Sequence, residues 1–450
     1  MQNKKSKATF ALWATKTSTT VIAIAAALSC AAVQAQTASD PVVLSFATVG
    51  DSRQDNVAPD TSQLPLSGQD VMWMTNTKAF GRILREIAAK KANLLFFNGD
   101  MVLGYGNASP STAVTDVNSV VNSDLVRFYT EYAYWRGMAA TLMEAGTYVV
   151  PVPGNHETQC RTATAAPSIN PTTGAYVPQT ICGTALSGGT DSLGSVNGGK
   201  NAIPQNEDAF RANMGDLILD QTRLASMLPN GQALSNVDLA DHAAMDYPFI
   251  AGNAKVLSAA PQNQLSFSFD VGSSHFAVIN NDVSGGNDNT APVNWLNRDL
   301  SAAKLRGAKG FFVFGHKPAY TYNYAGNGGK LAGLDANAYS TANRDAFWNV
   351  IQSYGATYFS GHQHTFNMSQ PKAAPSGSAL PPSWQVIVGA GGSPFDPKAT
   401  ASGLAPTDRD YVYAIVNVLQ SGNVVLSVYG FTSAYGPSKL IAQQTIAPAQ

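Results

Sequence analysis

Histidine is scarce in this chain, and most of the histidines share one sequence context. The 450 residues include six histidines. Four of these lie within three residues after a glycine that ends an apolar, strand-like run, namely His156, His316, His362 and His364. Two aspartates, Asp51 and Asp100, directly follow Gly50 and Gly99. Because imidazole nitrogens and carboxylate oxygens bind transition-metal ions, this pattern predicts a metal site.

The number of these donors indicates more than one ion. They exceed what a single catalytic ion needs, and they suffice for two ions about 3.5–4 Å apart that share a bridging carboxylate. Many phosphatases and nucleases use this arrangement, in which the ions activate a bridging water and neutralise charge on a phosphoryl group. Beyond the metals, such a reaction needs a proton donor for the leaving group.

The candidate ligands follow segments that read as buried strands. Short apolar runs, rich in β-branched and aromatic residues, predict strands at 42–49, 94–98, 148–152, 265–270, 275–280, 311–314, 356–359, 384–388, 411–418 and 424–428. Apolar residues at helical spacing, and proline at a first turn, predict helices at about 77–91, 124–145, 206–228, 292–305 and 343–354. This order predicts an α/β fold with parallel strands, in which functional groups collect at the carboxyl ends of the strands.

The N-terminal segment has the pattern of a secretory signal peptide at residues 1–35. Four lysines precede an apolar run at 21–32, namely Lys4, Lys5, Lys7 and Lys16. Val33 and Ala35 then supply small residues for cleavage. The run is shorter than the ~20 residues that cross a bilayer core, so we expect a periplasmic or secreted protein without stable membrane insertion. Lipid attachment at Cys30 is the alternative.

Composition limits the classes of partner. Hydrophobic residues make up 44% of the chain and charged residues 13%, with a net charge of −1. The chain can therefore bury a large core, and it lacks the charge of a disordered protein. Cleavage of the predicted signal peptide would remove four lysines and make the chain more acidic. A nucleic-acid partner is therefore not expected.

Two cysteines remain after the predicted cleavage, Cys160 and Cys182. An even pair in an exported protein predicts a disulfide. Both lie in a stretch at about 158–262 that is rich in Gly, Thr, Asn and Pro. We interpret this stretch as an insertion within one catalytic domain at 36–450.

Five short motifs together resemble those of the calcineurin-like metallophosphoesterases. They are Gly50-Asp51-Ser52-Arg53, Gly99-Asp100, Gly154-Asn155-His156-Glu157, Gly315-His316 and Gly361-His362-Gln363-His364. The resemblance spans about residues 42–430 and implies a four-layer α/β/β/α sandwich of two mixed sheets. It also implies hydrolysis of a small phosphate mono- or diester, by attack of a hydroxide that bridges two divalent or transition-metal ions.

The resemblance divides the ligands between two ions that share Asp100. It implies Asp51 and His364 as further ligands of the first ion, and Asn155, His316 and His362 as further ligands of the second. It implies that His156 is not a metal ligand. His156 would instead protonate the leaving oxygen or stabilise the negatively charged transition state.

The sequence departs from the family at Arg53. This position usually holds a histidine ligand, whereas an arginine stays protonated and offers no lone pair. The purple acid phosphatases use a tyrosine three residues after the shared aspartate, where this chain has Leu103. Tyr105 is considered as a substitute ligand. We expect the first ion to have fewer protein ligands. Two interpretations of Arg53 stay open, a contact to the substrate phosphate and a structural ion pair.

The remaining polar candidates have simpler interpretations. We expect His275 to be structural and His242 to lie on the surface. Lys317 is interpreted either as approaching the substrate or as solvated. Tyr105 and Asn107 are candidates for lining the pocket.

Two other functions stay open. One is a phosphodiesterase or nucleotide-directed hydrolase, and the other is a phosphate-binding protein with impaired turnover. His156 argues against the second, because binding alone needs no proton donor.

Overall fold

A computed structural model gives the structure of the chain. The described residues are 40–55, 68–109, 116–121, 123–161, 168–169, 176–177, 200–229, 232–243, 261–284, 288–336, 338–374 and 376–448. The chain divides into two units after Pro41, and all features below belong to Val42–Gln450. The predicted signal peptide and Cys182 lie outside the described residues, so both the peptide and the disulfide stay predictions. Within the described part, none of the helices is long and apolar enough to span a membrane.

The described residues form the following elements. The strands are β1 (Val42–Val49), β2 (Leu94–Asn98), β3 (Tyr148–Val152), β4 (Gln159–Arg161), β5 (Ser168–Ile169), β6 (Tyr176–Val177), β7 (Lys200–Ala202), β8 (Leu234–Asp238), β9 (Phe267–Val271), β10 (Ser274–Val278), β11 (Gly310–Phe314), β12 (Thr357–Ser360), β13 (Phe366–Ser369), β14 (Gln385–Val388), β15 (Asp410–Leu419), β16 (Val424–Thr432) and β17 (Lys439–Ile446). The helices are α1 (Gly68–Lys90), α2 (Val117–Val121), α3 (Asp124–Glu144), α4 (Asn155–Thr158), α5 (Pro204–Leu219), α6 (Gln221–Ser226), α7 (Val293–Leu305) and α8 (Ala338–Ser353).

Most strands belong to two mixed sheets. The first has the order β17-β16-β15-β1-β2-β3, with β1, β2 and β3 parallel and the other pairs antiparallel. The second has the order β13-β14-β12-β11-β10-β9-β8, and its parallel part is β10, β11, β12 and β14. In each sheet the parallel strands are also the apolar segments that the sequence identified.

The two sheets pack face to face through aromatic side chains. Phe46 of β1 meets Phe312 of β11 edge to face, with ring centroids 4.9 Å apart. Phe96 of β2 stacks on Phe314 of β11 at 3.8 Å. Such pairs add specific geometry to the burial of large apolar surfaces. The interface between the sheets is therefore the centre of the main core.

Helices cover the outer faces of both sheets. On the first sheet, α1 packs against α3 and β15, and α3 packs against β3. On the second, α7 packs against α8 and β10, over a separate apolar cluster that includes Ile279 and Trp348. The layers therefore run helix, sheet, sheet, helix, and the predicted α/β/β/α arrangement is confirmed.

Two parts of the interpreted insertion join this core. The predicted helix at 206–228 is two helices, because α5 ends at Leu219 and the Asp220 carboxylate then caps α6 by accepting from the Arg223 backbone N–H at 2.8 Å. Phe210 and Met214 of α5 are buried in the main core, where α5 packs against β3. In addition, β8 extends the second sheet beside β9.

His275 of β10 lies in a buried ionic cluster. Its Nδ1 is 2.6 Å from Asp270 Oδ1 and its Nε2 is 2.8 Å from Asp299 Oδ2. Arg306 pairs with the other oxygen of Asp270 at 2.9 Å. Burial alone would lower the pKa of His275, but the hydrogen bonds to the two carboxylates outweigh burial and raise the pKa to about 9. The cluster therefore holds a charged imidazole between β9, β10 and α7.

We predict that the free energy of unfolding decreases in alkaline solution, because this cluster loses its stabilising charge there. The folded pKa of His275 lies above the unfolded value of about 6.5, so its stabilisation is complete below that pH and is lost as the pH rises through about 9. His275→Gln should remove a pH-dependent contribution of about 2–3 kcal/mol. Denaturant unfolding from pH 6 to pH 10 measures it, and an unchanged pH dependence in the variant would contradict the assignment.

Candidate metal centre

The carboxyl ends of the parallel strands of both sheets meet at one place, and they bring all six predicted ligands together. The donor atoms form two groups, each within 4.8 Å. The first group is Asp51, Asp100 and His364, and the second is Asp100, His316 and His362. Asp100 belongs to both, as expected for a shared carboxylate. The ligand roles themselves stay predictions.

Left-handed backbone turns the chain sharply at these strand ends. Asp51, Asp100 and His362 have φ angles of 65°, 53° and 68°. Non-glycine residues rarely adopt this region, and such strain concentrates at functional sites. Gly99 is also left-handed, and a Cβ added there would lie 2.6 Å from Nδ1 of His316. Glycine at position 99 is thus required by the close approach of the backbone to the predicted ligand His316.

In the second group, acceptor atoms converge. Nδ1 of His316 lies 2.7 Å from the carbonyl of Asn98, so the Nδ1–H donates there and the lone pair of Nε2 faces the site. That Nε2 lies 2.8 Å from Asn155 Oδ1 and 3.1 Å from Asp100 Oδ1. Nδ1 of His362 also lies 2.8 Å from the same Asn155 oxygen. Nitrogen and oxygen lone pairs that crowd in this way fit a bound cation.

Burial keeps the two imidazoles of the second group neutral. It is the largest cause that lowers the pKa of His316, and Asp100 only partly offsets it. The pKa of His362 is lowered well below its usual value by burial and by the neighbouring His316. Neutral imidazole is the form that binds metal ions.

In the first group, His364 presents a buried nitrogen that lacks a hydrogen-bond partner. Its Nδ1 lies 2.7 Å from the carbonyl of Pro394, and its Nε2 lies 3.5 Å from Asp51 Oδ1. Among the described residues, no hydrogen-bond partner exists for that Nε2. Burial, followed by the charge of Arg53, lowers the pKa of His364 to about 4. A neutral, buried nitrogen that faces a carboxylate also fits a metal ion.

His156 lies beside the two groups and belongs to neither. Its Nε2 is 3.6 Å from Asp100 Oδ2, and its Nδ1 makes a short contact with the carbonyl of Leu103. The ring packs on Tyr105 with centroids 3.8 Å apart. The side chain is therefore fixed next to the shared carboxylate.

Arg53 contacts the shared carboxylate as well. Its Nη2 and Nε lie 3.3 and 3.4 Å from Asp100 Oδ2. Of the two open interpretations, the structure thus shows an ion pair, whereas a contact to substrate phosphate stays a prediction.

The structure also shows supporting residues to which the sequence assigned no role. The Glu157 carboxylate accepts from the backbone N–H groups of Asp100 and Gly154 at 2.8 Å, and from those of Met101 and Val102 at 2.7 and 3.2 Å. One buried side chain thereby fixes the loops after β2 and β3. The position of Glu157 in the Gly-Asn-His-Glu motif was the feature of the sequence that could have indicated this role.

A second buried cluster holds the next turn of the loop after β2. Glu131 of α3 accepts from the Gly104 N–H at 2.9 Å, and Arg127 donates to the Gly104 carbonyl at 3.1 Å. Arg127 also pairs with Glu131 and Asp124. The cluster therefore fixes the loop that carries Tyr105. In the sequence, only the helical spacing of Asp124, Arg127 and Glu131 indicated that these side chains could interact.

Other candidates lie elsewhere or act differently. Lys317 is neither solvated nor directed at a substrate, because it is buried and pairs with Asp282 at 2.5 Å and Asn289 at 2.7 Å. The Tyr105 hydroxyl contacts the Asn155 amide nitrogen.

Two further candidates also lie outside the donor groups. His242 is exposed and 3.1 Å from Asp238. Asn107 donates its backbone N–H to Asp124 and accepts from the Ser109 N–H.

The chain belongs to the calcineurin-like phosphoesterase family, whose model matches residues 70–366. That match includes five of the six predicted ligands and His156, whereas Asp51 and Arg53 precede it. No curated protein sequence matches the chain significantly.

Two solved structures are similar in fold at low identity. A purple acid phosphatase from yellow lupin (Lupinus luteus) seeds is 14% identical, over 90% of this chain and 53% of its own, with a TM-score of 0.45. A dimetal phosphatase from Danio rerio is 11% identical, over 90% of this chain and 99% of its own, with a TM-score of 0.39. The chain thus spans about half the length of the lupin protein, and the fold assignment rests on the sheet order itself.

We predict that the two donor groups bind metal separately. His364→Ala should lose one ion and keep the other, whereas Asp100→Asn should weaken both because both groups share it. Elemental analysis after dialysis against Mn²⁺ or Zn²⁺ measures the number of ions per chain. His275→Gln is the control, since it removes a buried histidine outside both groups. Two retained ions in His364→Ala would contradict the division.

Proposed function

We propose that the protein is a metal-dependent phosphoric ester hydrolase that acts on small phosphate esters with two ions. The observation that carries this proposal is a pair of donor groups that share Asp100, with the non-ligand His156 beside that carboxylate. The ions, when bound, supply Lewis acidity that activates water and neutralises charge on a phosphoryl group.

The residues of the chain divide the other tasks. Asp51 and His364 would hold one ion, and Asn155, His316 and His362 the other, with Asp100 between them. The carbonyl of Leu103 contacts Nδ1 of His156 and so accepts the Nδ1–H. Nε2 is then the nitrogen that faces the site, 3.6 Å from Asp100 Oδ2, and it carries a proton when the imidazole is in its cationic, doubly protonated form. In that form His156 can protonate the leaving oxygen of the ester and return to the neutral Nδ1–H tautomer.

We predict that His156→Ala lowers the rate of hydrolysis mainly for esters with poor leaving groups. Loss of a general acid should lower kcat by about 10²–10⁴-fold for an alkyl phosphate. An aryl phosphate such as p-nitrophenyl phosphate needs little protonation, so its kcat should fall far less. Initial rates with alkyl and aryl monoesters and diesters measure both this difference and the preferred ester class.

Metal content provides the control for this variant. It should match that of the unsubstituted protein, because His156 belongs to neither donor group. If His156→Ala loses metal, the residue is a ligand. If alkyl and aryl esters lose rate equally, it does not act as the acid.

We also propose that the protein is exported, after cleavage behind Ala35, and that Cys160 pairs with Cys182. The lysine-rich start and the short apolar run support export, and an oxidising compartment favours the pair. In a periplasmic or secreted fraction, N-terminal sequencing should begin at Gln36, and unreduced peptides should contain the linked cysteines. A cytoplasmic chain that begins at Met1 and has free thiols would contradict the proposal.

A further inference from the structure

The backbone of Arg53 is fixed close to the shared carboxylate. Its N–H donates to the Asp100 carbonyl at 2.8 Å, and its own carbonyl accepts from Asn76 at 3.2 Å. Its φ angle of 42° is left-handed. Because the backbone is held on both sides, only the side chain can move relative to the site.

The guanidinium of Arg53 pairs with Asp100 Oδ2, the carboxylate oxygen that does not face the second donor group. Asp100 Oδ1 faces His316 Nε2 and the His156 backbone N–H, each at 3.1 Å, whereas Oδ2 faces Arg53 and, at 3.6 Å, Nε2 of His156. The contact at 3.3–3.4 Å is long for a charge-assisted hydrogen bond, which is usually about 2.7–2.9 Å. The Arg53 side chain is 21% exposed, so it borders solvent at this edge of the site.

A cation in the first group and the Arg53 guanidinium require the same carboxylate. Asp100 is one of only two carboxylates in that group, beside Asp51 and the neutral His364. Like charges so close repel each other strongly in a buried site. An ion in the first group would therefore bind at the expense of the ion pair, whereas the family's usual histidine would have added a ligand.

We propose that Arg53 is an exchangeable cation, which neutralises Asp100 until the first group binds its metal and then turns to the phosphate of the ligand. The second role rests on the proposed function. In this scheme an anionic ligand draws the guanidinium away from Asp100 and so strengthens metal binding. By linkage, metal in the first group strengthens anion binding to the same degree.

Binding of Mn²⁺, with and without inorganic phosphate, tests the exchange without any turnover. In the unsubstituted protein one Mn²⁺ should bind tightly and a second weakly, and phosphate should tighten the second. Arg53→Ala removes the competing charge, so the second Mn²⁺ should bind roughly 5- to 100-fold more tightly without phosphate. In this variant phosphate should increase the affinity for the second Mn²⁺ by a smaller factor than it does in the unsubstituted protein. Equilibrium dialysis, with free Mn²⁺ measured by electron paramagnetic resonance, gives both affinities.

Matched variants distinguish the effect of the Arg53 charge from a general effect on the fold. They also show which donor group binds the affected ion. Arg53→Lys keeps the charge and should keep the weak second site. Arg306→Ala removes a guanidinium that pairs with Asp270, outside the donor groups, and should leave Mn²⁺ affinity unchanged. In a His364→Ala background, Arg53→Ala should tighten the remaining ion by a much smaller factor than it tightens the second ion of the otherwise unsubstituted protein.

Opposite results would overturn the exchange. If Arg53→Ala binds the second Mn²⁺ no more tightly, or more weakly, Arg53 does not compete for Asp100. If phosphate tightens Mn²⁺ equally with and without Arg53, the guanidinium does not turn to the anion. A protein that shows the exchange but hydrolyses no ester would refute the proposed function alone, because these affinities do not depend on turnover.

Discussion

The site depends on one fully buried carboxylate that two donor groups share. An ionised carboxylate in the interior is costly unless cations or hydrogen-bond donors surround it. Burial would raise the pKa of Asp100, but His156 and Arg53 outweigh it and hold the pKa well below its usual range. Glu157 fixes the backbone at the same residue by accepting its N–H. Much of the chemistry around Asp100 thus serves to keep one negative charge in place.

The layered fold explains why ligands from distant parts of the chain reach that charge. Each sheet contributes parallel strands, whose carboxyl ends lie at one edge. Aromatic packing between β1, β2 and β11 holds the two sheets face to face, and it therefore also sets the distance between their ligands. A cavity at Phe46 or Phe314 would disturb the site through this spacing, although neither residue is a ligand.

The sequence predicted best what local patterns determine. The bounds of β1, β2 and β3 match the apolar runs, since strands buried on both faces read as continuous hydrophobic segments. The edge strand β17 was missed, because it is half-exposed and its polar residues obscure the pattern. Side-chain partners were harder to predict. Lys317 and Arg53 are paired with residues far away in the sequence, and spacing along one chain does not identify such partners.

In the proposed exchange, the charge balance would link metal loading to the anion. Arg53 contributes a positive charge beside the first donor group, whose carboxyls are Asp51 and Asp100, and Asp396 lies 3.6 Å from His364. Burial, followed by the charge of Asp100, raises the pKa of Asp51 well above its usual value. Two divalent ions would make that buried set strongly positive, and an excess of buried charge of either sign is unfavourable. A phosphate dianion offsets much of the excess. In contrast, a neutral histidine at position 53 would leave the set with one positive charge fewer, both before and after loading. The arginine therefore makes the fully loaded state depend more on the anionic ligand than the usual family pattern would.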